Sequence, residues 1–151
     1  MSLQEELKAL KERIAELEVQ SEGGHWIPQD GDSYWYVDND AEVMTKVWRS
    51  DVYEKGRTSI GNVFRTEGQA EFVAEKLIVE AELRKHSRPF KEDENNYFIQ
   101  INSSHNNIVV DSDDCYQTQG TIYFESKFEA HDVIQTVGEE RIKKYIFGVE
   151  D

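Results

Sequence analysis

In this acidic chain one stretch combines the residue types that could receive an anion. Trp48 and Arg49 precede a stretch, Lys55-Gly56-Arg57-Thr58-Ser59, that combines two positive charges, a glycine and two hydroxyls. A guanidinium offers a fork of donors to a phosphate or carboxylate, and a glycine lets backbone N–H groups approach the same anion. An indole face beside guanidinium groups suits a nucleotide base. Trp48, Arg49, Lys55 and Arg57 are therefore the candidate ligand-binding residues, for a nucleotide-like small molecule. The competing reading is a longer hairpin, with Trp48 in the core and Arg57 in a surface salt bridge.

Other chemistry is not visible. His25, His86, His105 and His131 stand apart, with no Cys or His at ligand spacing, so no zinc site is expected. Cys115 lacks a nucleophile motif, and its place in an apparent strand predicts burial. Asp111-Ser112-Asp113-Asp114 lacks the rest of a calcium-binding loop. Neither a phosphate-binding loop nor a dinucleotide glycine fingerprint occurs. The expectation is a protein that is not an enzyme and uses no cofactor or metal.

The elements that would hold the candidate residues follow from composition and pattern. A chain of 151 residues, 38% hydrophobic and 11% aromatic, can bury one ordinary core. Its net charge of −14 opposes direct binding of nucleic acid, which needs a basic face. The charge serves solubility, or it imitates nucleic acid towards a basic protein. One cysteine permits no internal disulfide and suits a reducing compartment. No apolar run approaches the ~20 residues of a membrane span, and the first residues are charged and helical rather than signal-like. A cytoplasmic protein with no membrane partner is expected.

The body repeats itself. Tyr34-Trp35-Tyr36-Val37 aligns with Tyr97-Phe98-Ile99-Gln100, and Asp51-Val52-Tyr53 with Asp114-Cys115-Tyr116. Gly61-Asn62-Val63-Phe64-Arg65-Thr66 followed by Ala70 echoes Gly120-Thr121-Ile122-Tyr123-Phe124-Glu125-Ser126 followed by Ala130. The common frame, Phe-x-Thr/Ser-x-x-x-Ala, predicts that Thr66 and Ser126 cap helices. Ala70, Val73, Leu77 and Ala81 would face inward in the first helix, and Ala130, Val133, Ile134 and Val137 in the second.

Aromatic and β-branched runs before each cap, with turns at Asp38-Asn39-Asp40 and Ser104-His105-Asn106-Asn107, predict strands. The predicted fold is α+β: internally duplicated antiparallel strand-strand-strand-helix units, halves about 26–88 and 97–149, within a body of 26–151. Residues 85–96 join the halves, and 139–146 add a terminal helix after Gly138. The first copy is longer between Tyr53 and Gly61 than the second between Tyr116 and Gly120, and this extra loop carries Lys55 and Arg57.

Residues 1–20 form a separate element, followed by a linker at 21–25 containing Gly23-Gly24. Leu7 and Ile14 at heptad position a place Leu3, Leu10 and Leu17 at d, the seam of a coiled coil. In a parallel pair Glu6 meets Lys11 and Arg13 meets Glu18, so both interchain pairs attract. The run Arg13-Ile14-Ala15-Glu16-Leu17-Glu18 resembles a pattern of three-stranded coils, favouring a homotrimer, with a dimer as the alternative. An amphipathic helix laid against the body is the competing reading, because so short a helix is marginal alone.

Trp26-Ile27-Pro28, Tyr34-Trp35-Tyr36, Trp48, Arg57, Gly61-Asn62-Val63-Phe64 and the closing Glu139-Glu140-Arg141-Ile142-Lys143-Lys144-Tyr145 together resemble small proteins of bacteriophages and prophages. The resemblance implies a non-catalytic phage protein in the bacterial cytoplasm that acts by binding. Its lead form is an oligomeric protein that counters host antiviral defence by sequestering a nucleotide-like signal. The alternatives are an acidic nucleic-acid-mimicking inhibitor of a host nuclease or other defence protein, and a phage structural or assembly factor.

Overall fold

A computed structural model describes residues 2–21 and 26–150, and the side chains of all of these except 18–21. Helix α1 (Leu3–Ser21) is followed by strands β1 (Ser33–Val37) and β2 (Val43–Val47) and helices α2 (Val52–Ser59) and α3 (Glu67–Arg84). Strands β3 (Asn96–Asn102) and β4 (Asn107–Asp113) and helices α4 (Lys127–Val137) and α5 (Glu139–Tyr145) complete the order. The described fold is α+β, with five helices and two antiparallel two-stranded sheets, β1-β2 and β3-β4. The chain divides into two compact units, Met1–Ala74 and Glu75–Asp151, so the boundary falls inside α3.

In the first unit, α1 starts where the Ser2 hydroxyl accepts from Glu5 N–H at 3.2 Å and Ser2 N–H donates to the Glu5 carboxylate at 2.8 Å. This reciprocal cap satisfies donors that a helix start leaves open. Leu3, Leu7, Leu10, Ile14 and Leu17 all remain exposed, between 46% and 84%. The single chain therefore buries none of the seam, and the reading in which α1 lies on the body does not describe it.

Strands β1 and β2 pair with Tyr34 opposite Lys46 and Tyr36 opposite Met44. The expected turn forms around Asp38, whose carboxylate accepts from the N–H groups of Asp40 and Glu42, both at 2.9 Å. Val37, Ala70 and Ala74 form a small core, with Trp35, Val43 and Phe64 packed on it. In the second unit Val79, Leu83, Phe124, Ala130, Val133, Ile134, Val137 and Ile142 form the core. The expected caps are present: Thr66 Oγ1 accepts from Gln69 N–H at 3.2 Å, and Ser126 Oγ from Glu129 N–H at 3.0 Å.

Four expectations need correction. The first-copy stretch between Tyr53 and Gly61 is not a loop but the body of α2, because Asp51 caps it in a box with Glu54. The third strand of each half shrinks to isolated bridges, Trp35 with Phe64, and Tyr97 with Phe124, since the helix cap follows Phe64 and Phe124 two residues later. In α3 the inward residues are Ala70, Ala74, Val79 and Leu83; Leu77 and Ala81 are exposed. Its two ends serve different cores, so a single stripe drawn from Ala70 drifts off the buried face. Cys115 is exposed, because β4 ends at Asp113.

Candidate functional site

The candidate site assembles around a buried carboxylate that α2 carries to β1. Tyr34 lies on β1 with its side chain fully buried, and Tyr36, two residues on, shares its side of the strand. Their ring centroids are 5.9 Å apart, and Trp48 meets Tyr34 edge-on at 5.6 Å and 74°. Trp48 is held after β2 by Trp48 N–H on Asp32 O at 2.8 Å and by Gly31 N–H on Trp48 O at 3.0 Å. Its indole N–H donates to Ser50 Oγ at 2.9 Å, and that hydroxyl donates to Asp30 at 3.0 Å.

Ser50 has φ of 58°, the left-handed region that L-residues seldom adopt, and it turns the chain into the Asp51 cap of α2. Glu54, the third residue of α2, is 1% exposed. Its Oε1 accepts from Arg49 N–H at 2.7 Å and Asp51 N–H at 3.3 Å, and its Oε2 accepts from the Tyr34 hydroxyl at 2.8 Å. Arg57, one turn on, donates from Nη1 to the Tyr34 oxygen at 2.9 Å and lays its guanidinium over the Tyr36 ring, 3.9 Å from the centroid.

These contacts set the protonation states. Burial pushes the Glu54 carboxyl upward, but the Arg49 N–H, the Tyr34 hydroxyl and the Asp51 N–H outweigh it and hold the group below the ordinary carboxylate range. Burial first, and the bond to Glu54 second, push the Tyr34 hydroxyl up to about 12. At neutral pH the pair is a carboxylate and a protonated phenol. The two groups are thus held in their ordinary charge states, and the network fixes the orientation of the Tyr34 hydroxyl.

A further bond explains the Gly61-Asn62 pair. Gly61 has φ of 72°, and the residue after it turns its side-chain amide onto the end of β1. Asn62 Oδ1 accepts from Val37 N–H at 2.8 Å, and Nδ2 donates to Val37 O at 2.7 Å. One side chain thus replaces a strand partner, while Asn62 N–H closes α2 on Arg57 O at 2.8 Å.

Of the four residues expected from sequence, the structure brings Trp48, Arg49 and Arg57 onto one network through Tyr34 and Glu54. Trp48 is buried, so it builds a wall and presents no open face for a base. Arg49 joins through its backbone while its side chain is exposed; Lys55 is exposed on α2 and joins no part of the network. Arg57 is half-buried and bonded to a tyrosine rather than to an acidic side chain. Sequence reasoning missed Tyr34, Tyr36, Glu54 and Asn62 in these roles. The Asp51-x-x-Glu54 spacing is the local signal that marks the start of α2.

On the seam, Arg13 pairs with Glu16 of its own helix at 3.3 Å, and the Glu18 side chain lies outside the described residues. His25 also lies outside them. No helix among the described residues is long and apolar enough to cross a membrane. Neither a protein-family model, nor a curated protein, nor a solved structure matches the chain.

Proposed function

We propose that the protein is a non-catalytic, self-associating binder of phage origin that counters host antiviral defence. In this reading α1 joins copies of the chain, and each copy presents the surface beside α2 to a nucleotide-like molecule. The observation that carries it is the bare seam of α1. Five large apolar residues at heptad spacing stay open to solvent on a helix rich in charged residues. Completing the burial of each in a coil contributes about 1–2 kcal/mol, enough across three strands to offset the marginal stability of so short a helix.

The ligand face would be Arg49 and Lys55, both exposed, with Arg57 held ready over Tyr36. Trp48 then serves as a support rather than a stacking partner. The part assigned to host defence rests on the likeness of the sequence to phage proteins.

The two halves, about 26–88 and 97–149, are further read as copies of one ancestral piece. Support comes from equivalent caps at Thr66 and Ser126, from Ala70 and Ala130, each with no exposed surface, and from the Trp35–Phe64 and Tyr97–Phe124 bridges. On this basis Trp35, not Tyr34, answers to Tyr97, a slip of one residue from the alignment of the sequences.

The test is the mass of the full chain in solution by light scattering after gel filtration. A trimer is expected, and Ile14→Asp is expected to reduce it to a monomer without changing the tryptophan emission of the body. A wild-type monomer would overturn the self-associating reading. Bound small molecules released on denaturation of protein purified from infected cells, and lost with Arg49→Ala, would support the ligand assignment; protein purified without any would refute it.

A further inference from the structure

The unit Glu75–Asp151 holds a cavity that is independent of the α2 surface. Its walls are Leu83 of α3, Ile99 of β3, Ile122 and Phe124 ahead of α4, and Ile142 and Phe147 from α5 and the chain beyond it. The cavity volume is about 190 Å³. An apolar hole of roughly 150 Å³ takes a benzene ring, whereas pockets for drug-sized ligands begin at roughly 300 Å³. One ring or one short branched chain fits.

The rim is polar and carries both signs of charge. Glu80 and Arg84 stand one helical turn apart on α3, and Gln119, Gly120 and Thr121 belong to the same lining. Arg84 is exposed and Glu80 half-buried. Neither side chain forms an ion pair or hydrogen bond with another described residue, although the 80/84 spacing would allow them to pair with each other.

Those charges select the head group. A simple anion meets Arg84 but is repelled by Glu80 and by a chain of net charge −14; a simple cation is repelled by Arg84. A neutral apolar molecule leaves both charges unused. A zwitterion with a single apolar substituent uses both charges and the cavity together.

We propose that this cavity binds a free apolar α-amino acid. The aliphatic or single-ring side chain fills the space between Ile99, Ile122 and Phe124. The α-carboxylate meets the Arg84 guanidinium, the α-ammonium meets the Glu80 carboxylate, and Thr121 Oγ1 and the Gln119 amide are within the same rim for the remaining hydrogen bonds.

The experiment titrates the full, isotope-labelled chain with L-leucine and L-phenylalanine, read by the methyl signals of Ile99, Ile122 and Ile142. Saturable shifts are expected at these methyls for at least one of the two. N-acetylation or carboxamide formation should weaken that ligand about fivefold or more, as should Arg84→Gln, whose exposed site leaves the fold intact. Ile122→Trp, which fills the cavity, should abolish binding; Glu80→Gln serves as a second rim variant with the same expected weakening as Arg84→Gln. Absence of saturation up to about 20 mM would overturn the proposal. So would N-acetyl and carboxamide derivatives that bind as tightly as the parent amino acid.

Discussion

Removing the Glu54 carboxylate tests the network that holds α2 on β1. Glu54→Ala leaves three donors, the N–H groups of Arg49 and Asp51 and the Tyr34 hydroxyl, without their acceptor in a place that is 1% exposed. Breaking a buried charged network in this way costs about 3–5 kcal/mol. Glu54→Gln keeps the volume and one acceptor, but its amide then faces a hydroxyl that already accepts from Arg57, so the loss is about 1–3 kcal/mol. At roughly 4–8 °C per kcal/mol for a unit of this size, a loss of about 3–5 kcal/mol should lower the melting point of the alanine variant by about 12–40 °C.

The assay is built into the sequence. Trp26, Trp35 and Trp48 all fall within Met1–Ala74, so tryptophan emission follows that unit alone. The acid limb gives a second reading. Because the folded carboxyl lies below its ordinary value of 4.5, its contribution is fully present above that pH and is lost as pH falls through the folded value. That limb should vanish in Glu54→Gln. A loss below about 1 kcal/mol in Glu54→Ala, or an unchanged acid limb in Glu54→Gln, would refute the reasoning.

Two further outcomes follow from single side chains. Asn62→Ala removes both bonds to Val37 and should lower the stability of the first unit by about 1–3 kcal/mol, seen as an earlier denaturant midpoint of the tryptophan signal; Asn62→Asp, which keeps the acceptor and loses the donor, should fall between. Cys115 should be labelled to completion by a soluble disulfide reagent with no denaturant, since it is exposed. Its rate at pH 8 should be below that of a small free thiol, because the bond to Asp114 and that residue's charge push the thiol pKa up. A requirement for denaturant would contradict the exposure.

What was legible in the sequence was local. The Phe-x-Thr/Ser-x-x-x-Ala frame identified both caps because a hydroxyl and the N–H three residues on are fixed by the same turn. The inward residues of α4 were legible for a similar reason, since one helix meets one core. Helix α2 was not, although its box spacing was present. It contains Gly56 and begins with Val52 and Tyr53, all poor or middling helix formers, and a glycine inside a helix costs about 1 kcal/mol relative to alanine. Its stability comes from Glu54 reaching Tyr34, twenty residues away, and such a contact leaves no trace in local spacing. Trp48 was assigned to a ligand for its company of arginines, yet the large ring is worth more against Tyr34 than in water.

The same logic bears on the chain after β2, which runs into α2, and on the chain after β4, which forms no helix before α4. The first unit buries a polar residue near the start of β1, Tyr34, whose hydroxyl finds no backbone partner and depends on an acid brought from elsewhere. The second unit buries Asn96 at the start of β3, and this amide satisfies itself nearby. Its oxygen accepts from Arg88 at 2.7 Å and Lys91 N–H at 2.8 Å, and its nitrogen donates to the carbonyls of Lys91, Glu94 and Asp113. After β4 the Asp113 carboxylate instead takes the N–H groups of Cys115 and Tyr116, at 2.8 and 2.9 Å, which closes a turn and ends the need for a helix. The Tyr34 phenol takes its acceptor from α2, and the Asn96 amide takes its partners from the chain around β3 and the end of β4. Tyr34 holds α2 through Glu54 and Arg57, so Tyr34→Phe should weaken the proposed ligand site, read as a loss of affinity in the same binding assay as Arg49→Ala, even though the tyrosine itself has no exposed surface.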